Sequence, residues 1–149
     1  MAKLSSRSMQ SVFCDSNIWI AWFNKNDHFH QKAKEIISNL PEDVSILTSN
    51  LIIYEVLTVL SMRAGKNKSL KFGKWLFPLI SKGFIGVEYI DEAIENKAWS
   101  IFRALKNKDI SFADCASVII AKDFNAVVLT FDNHFKILER QFGIKLLKY

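Results

Sequence analysis

"VFCDSNIWIAWF", residues 12–23, sets a short apolar run against an aspartate and follows it with a second apolar run. Val12–Cys14 has the composition of a buried strand, and Asn17–Phe23 that of one or two helical turns, so Asp15 stands where a strand meets a helix. An aspartate there can cap the helix by accepting from its free N–H groups. It can also do chemistry, because in open parallel α/β sheets the working groups stand at the carboxyl ends of strands. Which role applies depends on whether other acids reach the same rim.

The elements that follow are consistent with such a sheet. "NKND" (24–27) is turn chemistry, and Ala33, Ile36, Ile37 and Leu40 recur at helical spacing over His28–Leu40 before Pro41. Ser45–Thr48 reads as a strand, with Ser49 or Asn50 capping a helix that runs to about Ala64 and stops at Gly65. A helix is expected over Ser69–Lys82, with Phe72, Leu76, Leu79 and Ile80 on one face and Pro78 kinking or splitting it. "GVEYI" (86–90) reads as a strand, and Asp91–Lys106 as a helix with Ala98, Ile101, Phe102 and Leu105 inward. "SFADCASVIIAKDF" from Ser111 reads as another helix. "AVVLTF" (126–131) is the clearest buried strand, being continuous, branched and apolar. Asn133–Gln141 completes the helices, and "IKLL" (144–147) suits an edge strand. Strands alternating with helices imply parallel pairing with helices on both faces, a three-layer α/β/α sandwich.

Four acids take positions from which they can share a site. Asp15 and Asp132 follow strands, Glu55 lies early in the helix after the second strand, and Asp114 sits in the first turn of its helix. Each also has an ordinary explanation: Asp15 and Asp132 as caps, Ser111 with Asp114 as a capping box, and Glu55 as part of a solvent-facing stripe with Thr58 and Ser61. Taken together, acids on one rim would raise each other's pKa unless a cation neutralised them. Oxygen-only ligands favour Mg²⁺ or Mn²⁺, which polarise phosphate oxygens and ease the formation of hydroxide from water.

The net charge of +5 over 149 residues is unevenly spread. From Val56 to Val87 there is no carboxylate, but there are Arg63, Lys66, Lys68, Lys71, Lys74 and Lys82. An acidic pocket in a basic body suits a polyanionic substrate.

"CDSNIWI", "SNLIIYEVLTVL", "SFADCASVIIA" and "LTFDNHF", in this order and spacing, resemble the motif set of PIN domains, most of all the toxin ribonucleases of VapBC-type toxin–antitoxin pairs. The resemblance runs from about Val12 to the C-terminus. It implies a parallel sheet of about five strands and puts the four family acids on Asp15, Glu55, Asp114 and Asp132 as catalytic, metal-holding residues. Ser16 and Asn17 match the small polar pair behind the first acid, and Thr130 matches the family's hydroxyl residue. Hydrolysis of single-stranded or looped RNA with Mg²⁺ or Mn²⁺, giving 5′-phosphate and 3′-hydroxyl ends, is implied as well, as are a homodimer and an antitoxin partner. Arg63, Lys66, Lys68, Lys71 and Lys74 would guide the RNA backbone. Asn133 and His134 after the last acid depart from the family pattern; His134 could bond a phosphate or a carboxylate beside the site, but reads better as a surface residue of the last helix.

Three other readings are weighed. A PIN-like module could keep its acids yet only bind RNA or a protein. A haloacid dehalogenase-like domain needs a second acid two residues beyond Asp15, where Asn17 stands, and a receiver's acidic pair and late lysine are missing. A DNA-cutting nuclease of similar fold would need an arch and further helices, for which 149 residues are expected to be too few.

One domain over residues 1–149 fits the length, with 1–10 a short flexible leader. Neither a signal peptide nor a membrane span is expected, and two cysteines suit a reducing cytoplasm. Cys14 and Cys115 read as small buried hydrophobes, His28 and His30 as structural or surface residues, and Trp19, Trp22 and Trp99 as core. Trp75 could stack a base but reads better as packing.

Overall fold

A continuous apolar run such as "VVL" is buried on both faces only in the middle of a sheet, and the sheet is built around two such runs. The computed structural model describes residues 11–149, so the leader expected over 1–10 lies outside the described residues. Five strands, β1 (Ser11–Cys14), β2 (Ser45–Ser49), β3 (Ile85–Glu88), β4 (Val127–Leu129) and β5 (Lys145–Leu146), pair in parallel in the order β3-β2-β1-β4-β5. The helices among the described residues are α1 (Ser16–Phe23), α2 (His30–Ser38), α3 (Asn50–Ala64), α4 (Lys66–Ser81), α5 (Glu92–Ala104), α6 (Phe112–Asp123) and α7 (Phe135–Phe142). The helices α1–α4 pack among themselves, as do α5–α7, giving the expected three layers.

Strand order fixes the place of the site. The chain steps outward from β1 through β2 to β3, then returns to lay β4 on the other side of β1. The reversal leaves a crevice at the carboxyl ends of β1 and β4, where open α/β sheets bind ligands. Register holds the two strands level: Phe13 opposes Val128 and Cys14 opposes Leu129, and Asp15 N–H donates to Leu129 O at 3.0 Å.

Beneath this rim Val12, Phe13, Ile18, Val56, Val128, Leu129 and Phe135 are fully enclosed. Each such aliphatic or aromatic side chain contributes about 1.5–3 kcal/mol relative to exposure. An aromatic cluster closes the core beside α4, with Trp75 edge-on to Trp22 at 5.0 Å and tilted against Trp19 at 5.7 Å. Trp75 is therefore a packing residue. Cys14 and Cys115 are buried free thiols; burial, aided by the charges of Asp15 and Asp114 respectively, pushes them up to about 12 and about 11. They are inert hydrophobes.

Several expectations need correction. Asn24 and Asp27 side chains accept from Asn26 and Phe29 N–H, so α2 begins at His30 rather than His28. His30 Nδ1 lies 2.8 Å from Ala21 O and ties α2 to α1. Ser49, rather than Asn50, caps α3 by accepting from Ile52 N–H; Asn50 instead accepts from Ile90 N–H, fastening the exit of β3. Gly65, at φ 90°, ends α3 and starts α4 at once, three residues before the expected start. The left-handed φ lets the chain reverse without a polar cap, which removes the usual sequence signal. Pro78 does not split α4, which runs through it to Ser81. Trp99 is 52% exposed and Phe102 40% exposed; they stack on one another outside α5 and are not core. Among the described residues no helix is long and apolar enough to cross a membrane.

Candidate active site at the carboxyl ends of β1 and β4

Asp15 caps α1 through Ser16 N–H, which donates to Oδ1 at 2.8 Å, but capping is only half of its role. Its other oxygen, Oδ2, receives Thr130 Oγ1 at 2.8 Å and Asn17 Nδ2 at 3.2 Å. Asn17 Nδ2 also reaches Thr130 Oγ1 at 3.1 Å, while Asn17 Oδ1 accepts from Phe131 N–H at 3.1 Å. Thr130 Oγ1 in turn accepts from Asp132 N–H at 3.0 Å. Asn17 and Thr130 thus lock the end of β1 to the end of β4 and fix the Asp15 carboxylate between them. A carboxylate carrying several donors has little rotational freedom, which is the preorganisation an active site needs.

Asp114 is placed by a complete capping box. Ser111 N–H donates to Asp114 Oδ2 at 2.8 Å, and Asp114 N–H donates to Ser111 Oγ at 3.1 Å. The ordinary and the functional explanations hold together here, since the box aims the acid while finishing the helix. Asp132 Oδ1 accepts from His134 N–H at 2.8 Å and lies 2.7 Å from His134 Nδ1. His134 Nε2 lies 3.8 Å from Asp109. His134 lies just before α7, is partly exposed and bridges two carboxylates, the alternative to a plain surface role. Glu55 projects from α3 into solvent, in keeping with its polar stripe.

Asp15 and Asp114 feel the charge of their acidic neighbours. Burial, then the charge of Asp114, pushes the Asp15 carboxyl up to about 7; the bonds from Thr130 and Ser16 oppose this, and Glu55 adds to it. Burial pushes Asp114 up to about 6 against its Ser111 bonds, with Asp132 and Glu55 adding negative potential. Among the described residues no lysine or arginine lies within 4.0 Å of any carboxylate. The site therefore carries uncompensated negative potential, the condition under which a bound cation is most favourable.

Donor chemistry fits a hard divalent ion, because every acid offers oxygen and none of the neighbours is a thiolate aimed at the rim. Geometry is less complete. Among the described residues no three His, Cys, Asp or Glu side chains are grouped to hold one ion, so four-fold convergence on a single ion is not realised. Mg²⁺ usually takes only one or two carboxylates and fills its other positions with water and substrate phosphate. Of the acids around it, Asp15 feels the charge of Asp114 most strongly, and two carboxylates are enough for such an ion.

The basic residues divide. Arg63 lines a cavity of about 330 Å³ with Asn17, Asp27, His28, Phe29 and Phe131, and Asn17 ties that cavity to Asp15. Lys66 and Lys74 line a different groove between α3 and α4, with Leu57, Met62, Leu70 and Phe77. Lys68 is half-buried and Lys71 exposed on α4. Charge clustering in sequence could not separate these surfaces. It also missed Lys136, Arg140 and Lys148, which share a cavity with Thr130 and Asp132 because α7 and β5 return to the site.

Comparison with known proteins agrees with this architecture. Residues 12–141 match the model of the PIN domain. A VapC ribonuclease of Archaeoglobus fulgidus is 25% identical over 130 residues, covering 85% of this chain and 80% of that protein. Among solved structures, VapC20 of Mycobacterium tuberculosis, a sarcin–ricin loop cleaving toxin, superimposes with a TM-score of 0.76 at 23% identity, over 85% of this chain and 94% of the other. VapBC2 of Rickettsia felis, bound to a DNA fragment from its promoter, gives 0.64 at 16% identity, over 93% and 98%. At these identities the structural matches speak to the fold, whereas the family match spans most of the chain and includes all four acids. The chain belongs to the PIN domain family.

Proposed function

We propose that the protein is a divalent-metal-dependent endoribonuclease that cuts single-stranded or looped RNA, and that it is the toxin of a toxin–antitoxin pair. The observation that carries this is Asp15: a buried carboxylate at the switch point of the sheet, held by Asn17 and Thr130 and facing the negative potential of Asp114 and Glu55. The VapC ribonuclease relative and the VapC toxin among the structural neighbours support the substrate and the toxin role. By the same analogy the protein would act as a homodimer, silenced by an antitoxin.

Mg²⁺ or Mn²⁺ bound at Asp15 and Asp114 would polarise the scissile phosphate and make water easier to deprotonate. The chain's own residues do the rest. Asn17 and Thr130 orient Asp15 by donating to Oδ2, and the bonds from Thr130 and Ser16 N–H offset part of the cost of burial. Ser111 does the same for Asp114. Asp132, steadied by His134, and Glu55 stand at the open side, where they can accept hydrogen bonds from water. Arg63, Lys66, Lys68, Lys71 and Lys74 attract the RNA backbone, an effect that weakens steeply with salt.

One observation favours a second reading, a PIN-like module that binds RNA or a protein without cutting: no three acids are grouped around a common ion. A labelled single-stranded RNA distinguishes the two. Purified protein with Mn²⁺ should shorten it, EDTA should stop the reaction, and Asp15→Asn should leave the RNA intact while keeping the fold. Retardation of full-length RNA by the wild-type protein, with Mn²⁺ and no shortening, would establish the binding module instead. Growth arrest on expression, relieved by Asp15→Asn, tests the toxin role.

A further inference from the structure

Phe29 and Phe131, 102 positions apart in the chain, stack nearly parallel, with ring centroids 4.6 Å apart and planes at 16°. His28 stands edge-on to Phe29 at 4.9 Å, and Tyr149 edge-on to Phe131 at 5.9 Å. These four rings form a row at the edge of the core: Phe131 packs against it, while Phe29 is 42% and Tyr149 49% exposed. Phe131 is fixed relative to the acids: it lies between Thr130 and Asp132, and its N–H is held by Asn17 Oδ1. One end of the row forms a wall of the cavity of about 330 Å³ that Asn17 and Arg63 also line.

We propose that this cavity is a subsite for one unpaired nucleobase of the RNA substrate, next to the phosphate being cut. The inference rests on the ribonuclease reading and gives it a recognition element that charge alone cannot supply. Three features converge. Exposed aromatic rings attract bases of any identity, because every base presents a π-face. Arg63 adds a planar cation that can pair with the flanking phosphate or lie over the base. The Asn17 amide, shared between this cavity and Asp15, sets the subsite one step from the chemistry. A base in the cavity, packed on Phe29 and His28, would splay the strand at that nucleotide. Only single strands and loops can supply such a base, which accounts for selection against duplex without any contact to a particular sequence.

The test separates base from backbone. Wild-type protein in EDTA, where it would not cut, is titrated with a fluorescent single-stranded RNA and with the same ribose-phosphate chain made abasic. The wild-type protein should hold the RNA roughly tenfold or more tightly than the abasic chain. Phe29→Leu should erase most of that difference while leaving abasic binding unchanged, and Phe131→Leu provides a second, independent variant. Equal affinity for both polymers, or a difference that survives both substitutions, overturns the subsite. Cleavage with Mn²⁺ reports separately on the ribonuclease reading. Base-dependent, Phe29-dependent binding without cleavage would leave the subsite standing and remove the enzyme.

Discussion

Thr130 Oγ1 donates to Asp15 Oδ2 at 2.8 Å and so joins residues 115 positions apart, across the seam between β1 and β4. The bond lowers the pKa of a carboxyl that burial and Asp114 raise. It keeps the acid of the central strand available to a cation near neutral pH.

Removing that donor should therefore be felt most at low pH. Thr130→Val, which keeps the shape, pushes the Asp15 pKa further up, so the acidic limb of the pH–rate profile for RNA cleavage moves to higher pH. A hydrogen bond to a charged group is worth about 1.5–3 kcal/mol, so cleavage at pH 7 should fall roughly tenfold or more and recover partly at pH 9. Thr130→Ser should retain most activity. An unshifted profile in Thr130→Val would show that the bond does not tune Asp15.

The same carboxyl makes the metal-free fold sensitive to pH. Its native pKa, about 7, lies above the ordinary 3.8, so the folded chain keeps a proton that the unfolded chain releases. The stabilisation is complete below about pH 4 and is lost as pH rises through about 7. In EDTA the Tm should fall over this window, and Asp15→Asn, which cannot ionise, should flatten that part of the dependence. Parallel Tm curves for the two proteins would contradict the assignment.

Ser111→Ala tests whether the α6 cap serves the site. Loss of the cap should cost about 1 kcal/mol in urea unfolding. It should also raise the pKa of Asp114 slightly, because it removes the Ser111 side-chain bond that lowers it while the larger contribution, from Ser111 backbone N–H, stays. Both shifts are expected together; a stability loss with an unchanged pH–rate profile would make the box purely structural.

Arg63 and Lys74 should behave differently. Arg63 shares the cavity with Asn17, whereas Lys74 lines the separate groove between α3 and α4. Arg63→Gln should raise KM for RNA several-fold even at high salt, and Lys74→Gln only at low salt, where long-range attraction counts. Equal effects at every salt concentration would put both residues on one RNA path.

Much of this was readable in the chain. Runs such as "VVL" and "VFC" announce central strands because enclosure on both faces demands continuous apolar residues. An acid directly after such a run must stand at the rim, which locates Asp15 and Asp132. The long-range network was not derivable from local pattern, because the Asn17–Thr130 contact depends on which strands become neighbours; the family resemblance supplied those two residues. The start of α4 was hidden because Gly65 replaces a polar cap with backbone geometry. Trp99 and Phe102 were misplaced because helical periodicity marks an apolar stripe without saying whether anything covers it. The aromatic row at Phe29 and Phe131 gave no signal, since its partners come from opposite ends of the chain.

Anomalous diffraction from crystals soaked in Mn²⁺ is the most direct test of the idea that these acids form a cation site. A manganese peak within coordination distance of both the Asp15 and Asp114 carboxylates, lost in Asp15→Asn, is the expected result. Saturating Mn²⁺ with no peak between those two side chains, in crystals of protein that still cuts RNA, would contradict it.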